Sequence, residues 1–235
     1  MEISNRLKAI CDLCLPGQVV ADIGCDHGYV SITLTNSGKF EKALAMDINE
    51  GPLRLAGQNI ALYGDKARIE TRLSSGFDKL EKGEADTVII AGMGGMLVRD
   101  ILDAGRDKLE SVKQLVLGAQ SDIDTVRRYI TAAGFRIDDE EMLEEDGKYY
   151  QLIRAVNAGS DIEGQLSDIE ALYGPVLISK KHAVLREYLT KQKAVLTDIK
   201  LKLDGRTEEK IVCRVEELTR DIRIIDETLE LIRES

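Results

Sequence analysis

Val19-Val20-Ala21-Asp22-Ile23-Gly24-Cys25-Asp26-His27-Gly28-Tyr29 begins as an apolar run, meets an acid, turns on Gly24 and Gly28, and passes into a helical pattern near Tyr29. An uncharged run of this kind has the character of a strand buried on both faces. Its glycines allow a sharp turn and a close ligand approach, because no Cβ stands in the way. A helix starting directly afterwards presents unpaired amide groups at the same place. Working outward, further runs recur at Lys42–Asp47, Ala67–Leu73, Asp86–Ala91 and Gln114–Ala119, separated by segments of helix length. With Gln18–Ile23 they predict parallel strands joined by helical crossovers. Phe135–Leu143 and Tyr149–Val156 are parted only by a short polar segment holding Asp146-Gly147, which predicts an antiparallel hairpin. The expected fold class is α/β, a doubly wound sheet of seven strands with a terminal antiparallel hairpin.

The rhythm changes at Asn157–Ser160, so residues 1–157 and 158–235 are expected to form separate domains. Ala183, Leu185, Leu189, Val195, Leu196, Ile199, Leu201 and Leu203 punctuate one charged helix, and Asp204-Gly205 makes a turn. Ile211, Val215, Leu218, Ile222, Ile225, Leu229 and Ile232 then recur at steps of four and three. That spacing predicts a C-terminal α-helical coiled-coil hairpin. It serves either as a structural or dimerising appendage or as a partner-binding arm.

The 235 residues carry 32 bases and 42 acids, a net charge of −10, which argues against a generic nucleic-acid binder. Residues 180–206 reverse the balance, with eight bases against three acids. Lys191 and Lys193 lie in this stretch, either as phosphate contacts or as a solvated helix face. No stretch approaches the roughly 18 apolar residues of a membrane span, and no leader-like apolar run opens the chain, so a cytoplasmic protein is expected. Cys11 and Cys14 form a lone C-x-x-C, and the only histidines are His27 and His182. A structural zinc site usually needs four ligands, so no metal is expected. The two cysteines share an apolar helix face with Leu7, Ile10 and Leu15, and read as small buried hydrophobes.

The second run ends in Asp47, 25 residues after Asp22, where a carboxylate can accept both hydroxyls of a ribose. Ser74-Ser75-Gly76-Phe77 follows the third run, where an adenine ring would lie, and Ala91-Gly92-Met93-Gly94-Gly95-Met96 follows the fourth. All four loops belong at strand C-terminal ends, where open α/β sheets bind ligands. A dinucleotide needs G-x-G-x-x-G and a helix start open to pyrophosphate, which Asp26 would repel. Asp22, Asp26 and Asp47 instead suit a ligand with a sulfonium and an ammonium group. The sequence resembles the class I S-adenosylmethionine-dependent methyltransferases, whose loop is D-x-G-x-G-x-G. It departs from them at Asp26, which stands where the middle glycine belongs. The expected cofactor is S-adenosyl-L-methionine, bound by Asp22, Gly24, Cys25, Asp26, Gly28, Asp47, Ile48, Ser75, Gly76, Ala91, Gly92 and Met93.

Asn5-Arg6-Leu7, Asp22-Ile23-Gly24-Cys25-Asp26-His27-Gly28-Tyr29 and Ala91-Gly92-Met93-Gly94-Gly95, taken together, resemble the TrmK family of bacterial tRNA (adenine-N1)-methyltransferases that modify position 22. The resemblance covers the whole chain. It implies a Rossmann-like N-terminal domain, a C-terminal coiled-coil hairpin, S-adenosylmethionine as donor and tRNA as partner. Adenine N1 has its own lone pair, so direct displacement needs no nucleophilic residue, and positioning supplies much of the rate. The catalytic candidates are Asp26, His27, Met93 and Gly94. Either Asp26 and His27 orient the adenine through its exocyclic amine, or Asp26 faces the sulfonium, or both serve only the loop's own hydrogen bonds. Arg6, Tyr29, Gly95, Lys191 and Lys193 are the candidates for substrate binding. Tyr29 is either a stacking surface for a base or a first-turn core residue. A monomer is expected. The competing readings are a methyltransferase acting on a small molecule or protein, and a non-catalytic S-adenosylmethionine-binding module.

Overall fold

The structure is a computed structural model that describes residues 1–159 and 165–233. It divides into two compact units, Met1–Gln165 and Leu166–Ser235. The first unit contains α1 (Asn5–Leu13), β1 (Gly17–Ile23), α2 (Tyr29–Asn36), β2 (Phe40–Asp47), α3 (Glu50–Tyr63), β3 (Ile69–Leu73), β4 (Thr87–Met93), α4 (Gly95–Ala104), α5 (Arg106–Leu109), β5 (Gln114–Ala119), α6 (Ile123–Ala132), β6 (Phe135–Glu145) and β7 (Lys148–Asn157). The seven strands form one sheet in the order β3-β2-β1-β4-β5-β7-β6. β1 to β5 are parallel, and β7 runs antiparallel to both β5 and β6.

Alternation along each central strand supplies the two faces. Ala21, Leu44, Met46, Val88, Ile90, Leu115 and Leu117 pack with Val98 and Leu102 of α4 and Val126 and Ile130 of α6. Their neighbours Val20, Ala43, Ala45, Ile89 and Val116 pack with Ile10 of α1, Ile32 and Leu34 of α2, and Ala56 and Ile60 of α3. This is the doubly wound, Rossmann-like arrangement, with helices on both faces because both faces are apolar. Cys11 and Cys14 are buried in the second of these layers, as their helix face predicts.

β6 continues to Glu145, two residues past the expected Leu143, and its face toward α6 is not wholly apolar. Arg127 of α6 and Glu140 of β6 are both fully buried, with Nε 2.8 Å from Oε1. Arg127 Nη2 also donates to Oε1 of Gln151 on β7 at 2.6 Å. A buried pair is retained only when its hydrogen bonds are met, as here.

The second unit is helical, with α7 (Asp168–Tyr173), α8 (Pro175–Ser179), α9 (Ala183–Leu203) and α10 (Glu209–Leu231). Ser167 and Glu170 form a capping box at the start of α7, and Gly174 with φ +89° separates α7 from Pro175. α9 and α10 are antiparallel neighbours, since Lys193 Nζ lies 2.6 Å from Oδ1 of Asp226 and Arg186 Nη2 donates to the carbonyl of Ile232 at 3.4 Å. Leu185, Leu189, Leu218, Ile225 and Ile232 are buried, whereas Ile211, Val215, Ile222 and Leu229 are half-buried. Val195, Ile199 and Leu201 are exposed, so those members of the α9 set do not belong to the seam. The expected boundary at Asn157–Ser160 begins where β7 ends, and Ser160 lies outside the described residues. No helix among the described residues is long and apolar enough to cross a membrane.

Candidate active site

The strand order reverses between β1 and β4, and their C-terminal ends part over a cavity of about 450 Å³. Such a switch point is where open α/β sheets take ligands. Gly24, with φ +81°, opens the loop after β1. The amides of Gly24 and Cys25 both donate to the carbonyl of Met46, at 2.8 and 2.9 Å, which folds the loop over the end of β2. Asp26, at the departure from the glycine pattern, has φ +49°. The backbone there keeps the left-handed conformation that glycine favours, and aspartate is among the few side chains that tolerate it. Gly28, φ +73°, then starts α2.

Opposite lies the loop after β4. A Cβ on Gly24 would collide with Cε of Met93, so the two loops touch through the missing side chain. Gly92 has φ +85°, and the pairing of β4 with β5 shifts between Ala91 and Met93, which turns this strand end into the cavity.

Two carboxylates reach the cavity from adjacent strand ends. Asp22 is 5% exposed, and its Oδ2 accepts a hydrogen bond from Oγ of Ser31 at 2.9 Å. Burial pushes its pKa up to about 6, assisted by the nearby charges of Asp47 and Asp26 and opposed by hydrogen bonds from Ser31. Asp47 is 8% exposed, and its Oδ1 accepts the amide of Asn49 at 2.8 Å. The cap of α3 is Asn49, so Asp47 serves no helix cap and faces the cavity.

The lining brings together Arg6, Asp22, Gly24, Cys25, Asp26, His27, Tyr29, Asp47, Ile48, Ser75, Gly76, Ala91, Gly92 and Met93, all anticipated from the sequence. Asp26 is exposed and His27 half-buried at the mouth, with Nε2 of His27 3.5 Å from Oδ1 of Asp26. The His27 and Tyr29 rings stack with centroids 5.8 Å apart. Arg6 lies with its guanidinium 5.4 Å from the centre of the Tyr150 ring, and the amides of Asn5 and Arg6 donate to Glu145 at the end of β6.

Gly28 and Gly94 are not in the lining; they are the N-caps of α2 and α4. Gly95 is corrected more sharply. It is buried, its amide donates to the carbonyl of Ser121, and a Cβ there would strike the backbone of Ser121 and Asp122. Glycine stands at 95 to let α4 meet the loop after β5, not to admit a base. Lys191 and Lys193 belong to the second unit and are ion-paired, with Glu187 and Asp226. Ser74, of the segment expected beside the adenine, also lines the cavity, as do Asn49, Gln120, Leu97 and Ile101, which were not anticipated. Asn49 directly adjoins Ile48, which was anticipated, so strand-end position was the available signal. Gln120, Leu97 and Ile101 gave none.

The chemistry on offer is a deep acidic end, an apolar wall of Met93, Leu97 and Ile101, and a neutral thiol. Burial raises Cys25 far above the ordinary thiol range, so it supplies no thiolate for covalent catalysis. Among the described residues no three His, Cys, Asp or Glu side chains are grouped to hold a metal ion. The donor set fits a nucleoside that also carries a cationic centre.

The comparisons agree with that chemistry. The family model described as tRNA (adenine(22)-N(1))-methyltransferase, TrmK, matches residues 20–227. A Bacillus subtilis protein of that same description is 34% identical over 194 residues, covering 82% of each chain. A Streptococcus pneumoniae structure solved with S-adenosyl-L-methionine superposes with a TM-score of 0.83 at 30% identity, covering 97% of this chain and 100% of that one. The Mycoplasma capricolum TrmK structure, solved with S-adenosyl-homocysteine, gives a TM-score of 0.84 at 26% identity, covering 99% and 100%. With a cavity suited to a sulfonium nucleoside and a family match spanning most of its length, this chain belongs to the TrmK family of tRNA (adenine(22)-N1)-methyltransferases.

Proposed function

We propose how this chain, as a member of that family, uses its own residues to transfer a methyl group from S-adenosylmethionine to N1 of adenine 22 in tRNA. S-adenosylmethionine supplies a methyl already activated on a sulfonium. Asp47 takes the ribose hydroxyls, Asp22 the methionine ammonium, and Ser75 with Gly76 the edge of the adenine ring. The remaining cofactor positions, Cys25, Ile48 and Ala91, shape the walls. Met93 and the Gly92–Gly94 backbone bring the acceptor base against the methyl. N1 attacks with its own lone pair, so the protein orients rather than activates it. The methylated base is cationic, and the exposed carboxylate of Asp26, beside His27, offsets part of the charge that develops. Arg6 and Tyr29 at the rim receive the target nucleotide.

The observation that carries this reading is the pair Asp22 and Asp47, buried at adjacent strand ends on one cavity with the Gly24 loop. We assign residues 1–157 to methyl transfer and 158–235 to a helical domain that helps hold tRNA, with Lys191 and Lys193 on its phosphates. The working form is a cytoplasmic monomer without a bound metal. The test is mass spectrometry of nucleosides after incubating unmodified tRNA with the protein and a deuterated methyl donor. A labelled 1-methyladenosine is expected at position 22, unchanged by a chelator. Asp47→Ala should weaken cofactor binding about tenfold or more, equivalent to roughly 1.5–3 kcal/mol for a lost charge-assisted hydrogen bond. An unchanged affinity would remove Asp47 from the site.

A further inference from the structure

α2 carries three serine and threonine side chains, and they are used differently. Thr33 Oγ1 donates to the carbonyl of Tyr29 at 2.8 Å, and Thr35 Oγ1 to that of Ser31 at 2.9 Å. Both return to the turn before them, as serine and threonine within helices commonly do. Ser31, 0% exposed in the first turn of the same helix, instead donates to Oδ2 of Asp22 at 2.9 Å. Its backbone amide acts on the same carboxylate. The buried acid of β1 is thus held by the first turn of α2, where free amides and the positive end of the helix dipole favour an anion.

We propose that Ser31 is a positioning residue for cofactor binding, holding Asp22 as a charged carboxylate ready for the methionine ammonium. This rests on the reading of Asp22 as the acid at the methionine end. The charged groups facing Asp22 are themselves acids, Asp47 from the end of β2 and Asp26 from the loop after β1. The thiol of Cys11 lies near it on α1, that of Cys14 just after α1 and that of Cys25 in the loop, and burial keeps all three protonated. Burial and like charge therefore both push Asp22 toward its neutral form, and the hydroxyl and amide of Ser31 oppose them. A neutral Asp22 has no charge to offer an ammonium group.

The test is calorimetric titration of the full chain with S-adenosylhomocysteine between pH 5.5 and 8.5, for wild type, Ser31→Ala, Ser31→Cys and Asp22→Asn. Each protein meets the same ligand at each pH, so the ligand's own titration cancels in ratios of Kd. For Ser31→Ala the ratio to wild type should be about fivefold at pH 6 and under about twofold at pH 8.5, as expected for a carboxylate titrating roughly one pH unit higher. Ser31→Cys, close in size but a weak donor, should behave alike and answers the question if the alanine variant is unstable. A ratio constant across pH, or no loss, overturns the role of Ser31. If Asp22→Asn binds as tightly as wild type at pH 8.5, the assignment of Asp22 itself fails. If Asp22→Asn binds weakly while both Ser31 variants run parallel to wild type, only the Ser31 proposal falls.

Discussion

The two units are specified in different ways. In Met1–Gln165 backbone meets backbone or side chain at fixed points, as at Gly24 against Met93 and Gly95 against Ser121 and Asp122. In Leu166–Ser235 the two long helices rely on a repeated spacing, with Leu218, Ile225 and Ile232 buried and Val195, Ile199, Leu201 and Val212 exposed. A spacing tolerates substitution, because each position contributes a similar small share. A point contact does not, because a single atom has nowhere to go. Chemistry that requires sub-ångström placement therefore belongs with the first kind of construction.

Removing residues from Leu166 onward gives the largest expected effect. The first unit should still unfold cooperatively and bind S-adenosylhomocysteine, while methylation of tRNA should fall by about two orders of magnitude or more if the second unit supplies the proposed phosphate contacts. Thermal melting, calorimetry and a tRNA assay read the three quantities. A truncated chain that fails to fold would break the contrast between the units.

Gly95→Val and Gly205→Ala sharpen it. At 95 the added atoms meet buried backbone, so a loss of roughly 3 kcal/mol or failure to fold is expected. Gly205 has φ +77° but nothing within 4 Å of an added Cβ, so only backbone strain of about 1 kcal/mol applies. Urea denaturation of both variants gives the comparison, and equal losses would defeat it.

Asp22→Asn should stabilise the free protein while weakening cofactor binding. The carboxyl is at about 6 in the fold against 3.8 ordinarily. Below pH 3.8 it is protonated in both states and costs nothing; the penalty grows as pH rises to about 6 and is constant above. The variant's advantage should therefore be absent near pH 4 and reach on the order of 2 kcal/mol at pH 7.5. Melting across that range shows it, and an advantage already present at pH 4 would point to another cause.

The smallest effect belongs to Lys191→Glu with Lys193→Glu. Both lysines are 42% or more exposed at the side chain and ion-paired, so stability should change by less than about 1 kcal/mol. Affinity for tRNA should fall a few-fold, with a shallower salt dependence. Filter binding over a salt series decides it, and an unchanged slope would take both residues off the RNA.

These differences also govern what the sequence discloses. The parallel strands were legible because burial on both faces leaves unbroken apolar runs, and Asp22, Asp47 and the glycine loops because they stand at run ends. β6 was read two residues short because Glu144 and Glu145 carry no apolar signal at an edge. Gly95 was misplaced because a glycine that admits a ligand and one that admits a neighbouring backbone are spelled alike. Ser31 escaped notice because a serine in a helix is ordinarily unremarkable, and its partner lies nine positions away on a different element. In the helical unit the period was visible, but which of Val195, Leu196 and Ile199 turns inward depends on phase, and Val195 and Ile199 turn out.

The buried pair Arg127 and Glu140 ties the terminal hairpin to α6 at one point. β6 and β7 close the sheet as a hairpin that must reach α6 in one register. If β6 slipped, Arg127 would face Ile137 or Met142 in place of Glu140, because the irregularity between Ile137 and Asp139 leaves Asp138 to pair with Arg154, and neither neighbour offers a carboxylate. A guanidinium stranded in the interior costs roughly 3–5 kcal/mol. A misregistered hairpin would carry that cost, so the register of the terminal strands is set by charge as well as by shape.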